Sequence, residues 1–195
     1  MSDPAVTEIS GYRFTPDHLN IAGRKPGISA FMRIKNGAEF LEPTIRSHID
    51  HFDEVVAMFN GCTDKTEEIL LRMRQEYGPK IRLFHYTHRV FPPGSEGHKA
   101  AAPDAPDSLV NYYNCALAQT QYQIVTKLDD DHLGIEDELA KLVQRVRSGE
   151  FSVRTVSAFS GLILSPYMDR PGLTVVLLDA PISGKGDIGF FRVHP

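Results

Sequence analysis

Apolar residues along the chain gather in short continuous runs, and these alternate with stretches of helical period. Ile28, Ser29, Ala30, Phe31, Met32, Arg33 and Ile34 form the first run and predict a buried strand. After the turn Lys35-Asn36-Gly37, the spacing predicts a helix over 38–52 with Leu41, Ile45, His48, Ile49 and Phe52 on one face. Pro43 is tolerated because it falls in or near the first turn. A second strand over 53–59 ends at the turn Asn60-Gly61-Cys62-Thr63. Asp64 and Glu67 then stand at capping-box spacing, with Asp in place of the usual hydroxyl. The helix behind them turns Ile69, Leu70, Met73 and Tyr77 inward and stops at Gly78-Pro79. A third strand covers 81–85.

Strands alternating with helices imply βαβ units, and so an α/β fold with a mainly parallel central sheet and helices on both faces. Residues 1–26, with Pro4, Pro16 and Pro26, read as an N-terminal tail or an edge segment, and 27–195 as the domain. The stretch 86–106 holds four prolines and two glycines, and a loop of that length is usually functional or mobile. Its His88, Arg89, His98 and Lys99 suit a cover over an anionic ligand, or a plain surface excursion. Asp107 or Ser108 caps a helix running to about residue 120, in which Tyr112 and Tyr113 read as core or pocket wall. Another helix, over 136–147, turns Leu139, Leu142, Val143 and Val146 inward and carries basic residues near its C-terminus. After Gly149 the pattern changes to strands, over 153–164, 174–178 and 188–193, and this second half looks short.

The chemistry lies between those last two helices. Ile124, Val125, Thr126, Lys127 and Leu128 form a β-prone run that ends in Asp129, Asp130 and Asp131, with His132 next. Three adjacent anions repel one another, and burying them unpaired costs several kcal/mol, roughly. A divalent cation would remove the conflict, and the carboxyl end of such a strand points into the crevice where α/β sheets bind ligands. A solvated Asp-rich turn is the plainer reading.

Composition narrows the classes. With 195 residues, 42% hydrophobic, the chain suits one globular domain. No apolar run reaches the length of a membrane span, and the opening residues lack the regions of a signal peptide, so the expected location is cytoplasmic. Cys62 and Cys115 give neither metal-ligand spacing nor a disulfide framework. A net charge of −4 without a basic stripe gives nucleic-acid binding no support.

Four segments in register resemble the family 2 glycosyltransferases, which have the GT-A (Rossmann-like) fold. Residues 28–41 are similar to the family's opening strand, turn and helix start; 53–66 to its second strand and "DGSTDGT" turn; Asn114-Cys115-Ala116-Leu117-Ala118 and then Lys127-Leu128-Asp129-Asp130-Asp131 to its "RN-x-G/A … L-D-x-D" segment. The likeness covers 27–135 well and the remainder loosely. It implies inverting transfer from a UDP- or GDP-linked nucleotide-sugar donor to a hydroxyl of a saccharide or lipid-linked acceptor, with Mn2+ or Mg2+ bridging the diphosphate. Asp131 would bind the metal, Asp129 would face the metal or the ribose, and Asp130 is the variable middle position. Arg33 and Ile34 would line the nucleotide pocket, and Asn60 falls where many members hydrogen-bond the base. The resemblance further implies bacterial polysaccharide or glycolipid assembly, with peripheral association at the inner face of the membrane.

Two departures stand out. The family's "P-x-Y-N" is here Arg33-Ile34-Lys35-Asn36, which puts a cation near the donor. The acidic pair that usually supplies the acceptor's general base has no counterpart, and Asp187 is the nearest candidate. His132 is a further candidate ligand, whereas His48 and His51 read as packing or surface residues and Cys115 as buried and inert. A sugar-nucleotide nucleotidyltransferase would need a more glycine-rich loop after the first strand. An Asp-nucleophile phosphatase would need a small hydroxyl residue after its Asp. A non-catalytic nucleotide-sugar-binding domain, or a catalytic fragment with its acceptor-side half truncated, is the alternative the short second half keeps open.

Overall fold

The computed structural model describes residues 5–150, 156–158, 161–162, 164–166, 174–176, 182–183 and 189–193. A short strand, Val6–Ile9 (β1), is followed by two turns of 3-10 helix and the long strand Lys25–Ile34 (β2). Leu41–His48 (α1) leads to Glu54–Phe59 (β3), Thr66–Tyr77 (α2) and Ile81–Tyr86 (β4). Glu96–Ala100 (α3) and Leu109–Ala118 (α4) precede Tyr122–Lys127 (β5) and Glu136–Arg147 (α5). The remaining strands are short: Ser157–Ala158 (β6), Gly161–Leu162 (β7), Leu164–Pro166 (β8), Thr174–Val176 (β9), Ile182–Ser183 (β10) and Gly189–Arg192 (β11).

The main sheet has the order β1-β4-β3-β2-β5-β11-β6. Its first five strands are parallel, and β11 runs antiparallel to both β5 and β6. This is the mainly parallel α/β architecture that the alternation implies, of the GT-A type that the resemblance implies. From β2 the chain steps outward through β3 to β4, then returns through α4 to lay β5 on the other flank of β2. The strand order therefore reverses between β2 and β5, and the crevice outside their carboxyl ends is where such sheets bind ligands.

The pleat assigns each residue to a layer. Ile28, Ala30, Met32 and Ile34 of β2, with Val55, Ala57 and Phe59 of β3, pack against Leu41, Ile45, Leu70, Met73, Leu139 and Val143 of α1, α2 and α5. Phe31, Val56, Met58, Phe84 and Tyr86 face the other way, against Tyr112, Cys115 and Ala116 of α4. Both faces of β3 are covered, so all six of its residues are buried and none alternates polar with apolar. Asn111, buried in α4, accepts from Phe14 N–H (3.1 Å) and donates to Tyr12 O (2.7 Å), tying the N-terminal segment across that helix.

Several elements differ locally from the sequence expectation. The first helix begins at Leu41 rather than 38, because the Gly37 and Ala38 N–H groups are held in a loop by Thr66 Oγ1 (2.9 Å) and Asp64 Oδ2 (3.0 Å). The capping box at Asp64 does not form. Its other oxygen accepts from Thr66 N–H (3.0 Å), so one carboxylate caps α2 and clamps the loop before α1. The stretch 86–106 is not without structure. Tyr86 is the last residue of β4 and donates through its hydroxyl to Pro106 O (2.7 Å), and α3 lies between, capped by Ser95 Oγ.

At the amino end of the sheet, Glu54 is buried and fully partnered. It accepts from Ser29 Oγ (2.6 Å), from Gln121 N–H (2.5 Å) and from Arg82 Nη1 (3.1 Å). One carboxylate thus joins β2, β3, β4 and the entry to β5. Glu54→Ala leaves Arg82 without its counter-charge and two donors unsatisfied, and is expected to destabilise the chain by about 3 kcal/mol in urea unfolding.

Candidate active site

Arg33 stands near the carboxyl end of β2, on the face that α4 covers. Its Nη2 donates to the Tyr113 hydroxyl, and its guanidinium carbon lies 3.3 Å from the Tyr113 ring centroid, a cation–π contact. The Nε of Arg33 is buried and has no acceptor. Burial lowers the Arg33 pKa, against the opposing pull of Tyr113, Asp129 and Asp130. The sheet therefore presents a desolvated cation, one acceptor short, at the point where the strand order reverses.

Ile34 does not line a pocket. The next residue along a strand faces the opposite layer, and Ile34 is fully buried in the core beneath α1 and α2. What it contributes is its carbonyl, which accepts from Asn60 N–H (3.2 Å). Asn60 is likewise engaged rather than open to a base. It is buried, and its side-chain amide donates to the carbonyls of Tyr86 (2.9 Å) and His88, latching the exit of β4 to β3.

The loops after β2 and β3 form one platform. Asn36 adopts a left-handed conformation (φ 55°) and accepts through Oδ1 from Thr63 N–H (2.8 Å). With the Gly37–Thr66 and Ala38–Asp64 bonds, this fixes the floor against which the acidic segment lies. Gly37 leaves room for the Asp130 carboxylate, which an added Cβ would force to shift. On the same side, Thr44 Oγ1 of α1 donates to Asp130 O (3.0 Å), and Ser47 Oγ accepts from Gly134 N–H (3.1 Å).

The three aspartates avoid mutual repulsion by diverging. Asp129 forms an ion pair with Lys127 Nζ (2.8 Å). Asp130 turns inward against Gly37, where burial, with its two neighbouring carboxylates, raises its pKa above the ordinary carboxylate value. Asp131 points outward, its side chain 65% exposed, with His132 Nε2 3.7 Å away. His48, behind them, is buried and donates from Nδ1 to Thr44 O (2.9 Å); burial pushes it below the usual imidazole value. The sequence pattern carried the aspartates but not Lys127 as a partner, nor the clamp of Asn36, Asp64 and Thr66. Only the Asn-Gly turn and the cap spacing marked those residues. Asp187 lies outside the described residues.

Among the described residues, no group of three or more His, Cys, Asp or Glu side chains converges to hold a metal ion. A closed, all-protein site is therefore not formed by those residues, whereas Mg2+ needs only one or two carboxylates plus substrate phosphates. Asp131 is the most open carboxylate of the triplet, and the acceptorless Arg33 Nε beside the segment suits a polyanion. These residues fit a metal shared with a bound diphosphate.

The fold thus brings a cation and an acidic strand end together at the reversal point of an α/β sheet, where such sheets bind ligands. The family model described as beta-1,4-N-acetylgalactosaminyltransferase (CgtA) matches residues 20–155, and the chain belongs to this family of glycosyltransferases. Comparison with curated proteins finds no match. Among solved structures, the chain is similar to 4-diphosphocytidyl-2C-methyl-D-erythritol synthase from Anaerococcus prevotii, at 15% identity and TM-score 0.43, over 88% of this chain and 71% of that one. It is also similar to glucosyl-3-phosphoglycerate synthase from Mycobacterium tuberculosis, at 22% identity and TM-score 0.42, over 75% and 48%. A structure of that synthase with Mn2+, uridine diphosphate and glucosyl-3-phosphoglycerate gives 22%, 0.42, 74% and 48%. Likeness at this level concerns the fold alone, and the chain spans about half the length of the mycobacterial synthase.

Two predictions follow from the packing of Asp130. Gly37→Ala is expected to destabilise the chain by about 1–3 kcal/mol, with most of the loss recovered in an Asp130→Ala background; a double-mutant cycle by urea unfolding measures the coupling. A carboxylate whose folded pKa is raised contributes stability below its ordinary value and loses it as pH rises through the folded value. Asp130→Asn, which cannot ionise, should therefore gain on the wild type from acid to neutral pH, as thermal melts across that range would read.

Proposed function

We propose that this chain transfers N-acetylgalactosamine from a UDP- or GDP-linked donor to a hydroxyl of a saccharide or lipid-linked acceptor, using Mn2+ or Mg2+. The observation that carries the reading is the meeting, at the carboxyl end of the sheet, of a half-buried Arg33 whose Nε lacks an acceptor with the acidic segment and its outward-facing Asp131. The description of the matching family, beta-1,4-N-acetylgalactosaminyltransferase, supports the choice of sugar and of a β linkage. Formed from an α-linked nucleotide donor, a β linkage requires inversion at the anomeric carbon.

In this reading the Arg33 guanidinium faces a phosphate oxygen, and the Tyr113 ring holds it in place. Asp131 would hold the metal, and Asp129, now paired with Lys127, would be the second ligand. A divalent cation there would offset the negative charge that gathers on the departing diphosphate. Lys127, on the same segment, would face the same charge. Asp130 stays tucked against Gly37 and orients the segment rather than touching the donor. The acceptor hydroxyl needs a base to take its proton, and Asp187 is the candidate.

No helix among the described residues is long and apolar enough to cross a membrane. We place the activity in the cytoplasm, with peripheral association at the inner face of the membrane during polysaccharide or glycolipid assembly.

The test combines binding with turnover. UDP or GDP compounds should raise the melting temperature only with Mn2+ or Mg2+ present, and N-acetylgalactosamine transfer should show the same requirement. Asp131→Ala should abolish the metal-dependent shift and lower kcat/KM by about a hundredfold or more. Asp187→Asn should lower kcat and leave donor binding intact. Metal-dependent donor binding without transfer or hydrolysis would favour a binding module, and donor binding indifferent to metal would sink the metal assignment.

A further inference from the structure

A second site lies at the opposite end of the sheet. The amino ends of β2 and β5 and the C-terminus of α4 enclose a cleft of about 400 Å3, within the range of small-molecule sites. Three cations line it, Arg24, Lys25 and Arg82, together with Asn20, Gln119 and Gln121, and none of its lining residues is acidic. Lys25 and Arg33 are eight residues apart on one extended strand, which puts the cleft about 26 Å from the Arg33 crevice.

The cations differ in how they are satisfied. Arg82 is neutralised by Glu54 and also donates to Gln119 O (2.5 Å). Arg24 is 7% exposed and has no carboxylate bonded to it; burial lowers its pKa, and the nearby Glu54 opposes that only in part. Its Nε donates to Leu19 O (2.8 Å), and its Nη1 to Thr120 Oγ1 (2.9 Å) and Tyr122 O (2.7 Å). Its Nη2 is buried with no acceptor. Leaving a charged donor unsatisfied in a desolvated position is costly, and here that donor belongs to a residue of the cleft wall. Two of the carbonyls at the end of α4 are covered, Gln119 O by Arg82 and Leu117 O by Thr120 Oγ1 (2.6 Å), which reduces their repulsion of an anion. The exposed Lys25 adds a mobile cation at the rim.

We infer that this cleft binds a small phosphate-bearing ligand, inorganic phosphate or a soluble phosphomonoester, at a site separate from the donor crevice. A tetrahedral oxyanion against the Arg24 wall, with a small shift of that side chain toward it, would give Nη2 the missing acceptor. Lys25 would approach from the rim as a point charge, and the Asn20, Gln119 and Gln121 amides would be at hand for the rest of the molecule. The inference does not depend on the transferase reading, since none of its residues belongs to that site.

Isothermal titration and thermal melts of the full chain test it, with sodium phosphate or glucose 6-phosphate against sodium chloride at matched ionic strength. Both phosphates should bind and raise the melting temperature, with tighter binding of the ester identifying a phosphorylated metabolite and equal binding identifying the free ion. Lys25→Glu, at an exposed position, should fold normally and weaken binding by roughly tenfold or more. Arg24→Lys keeps the charge but loses the fork, and should also weaken binding; it is read only if its melt shows a folded chain. Arg33→Gln and Asp131→Ala should leave binding unchanged, which separates this site from the donor crevice. Absence of phosphate-specific binding, or binding that survives Lys25→Glu and disappears in Arg33→Gln, overturns the proposal.

Discussion

The parallel pairing of β2 with β3 on one side and β5 on the other is the constraint on which everything else depends. A strand hydrogen-bonded along both edges and covered on both faces has no solvent to satisfy it except at its ends. Function is accordingly driven to those ends. At the carboxyl end, two neighbouring strands leave in different directions and a crevice opens between them. Arg33, the loop at Asn36 and Gly37, and the acidic segment meet there because the register of β2 with β5 brings Phe31 level with Lys127.

The electrostatics of the two ends are opposite in design. At the carboxyl end, three adjacent carboxylates are separated by conformation. One is paired with Lys127, one is tucked against a glycine, and one is turned to solvent. At the amino end, a single buried carboxylate, Glu54, gathers donors from three sides and neutralises Arg82, leaving Arg24 with a vacant donor. Each end contains a guanidinium with one buried nitrogen that lacks an acceptor, Arg33 Nε at the carboxyl end and Arg24 Nη2 at the amino end. Guanidinium suits this role because it stays charged despite desolvation and presents donors in a fixed plane.

The loop platform links packing to the site. Asp64 both caps α2 and fixes Ala38, so the start of α2 and the approach to α1 cannot move independently. Gly37 then sets how closely the acidic segment can approach β2. Asp130 fills that contact and orients its neighbours, a positional role that its place between two candidate ligands would not suggest.

Much of the architecture was legible in the chain itself. The buried runs at 28–34, 53–59 and 81–85, the helix at 136–147 and the acidic strand end are periodicity and turn chemistry, which depend on neighbours in sequence. The register of four motifs was enough to indicate a glycosyltransferase of the GT-A type, which membership in the CgtA family bears out. Tertiary structure alone decided which face each residue took and which partner met it. Ile34 and Asn60 occupy promising positions in sequence, yet one is packed under α1 and α2 and the other holds two backbone carbonyls. The ion pair of Lys127 with Asp129, and the acceptorless nitrogens of Arg24 and Arg33, were equally invisible. Side-chain direction and desolvation are set by strands and helices far away in sequence, and a one-dimensional pattern carries neither.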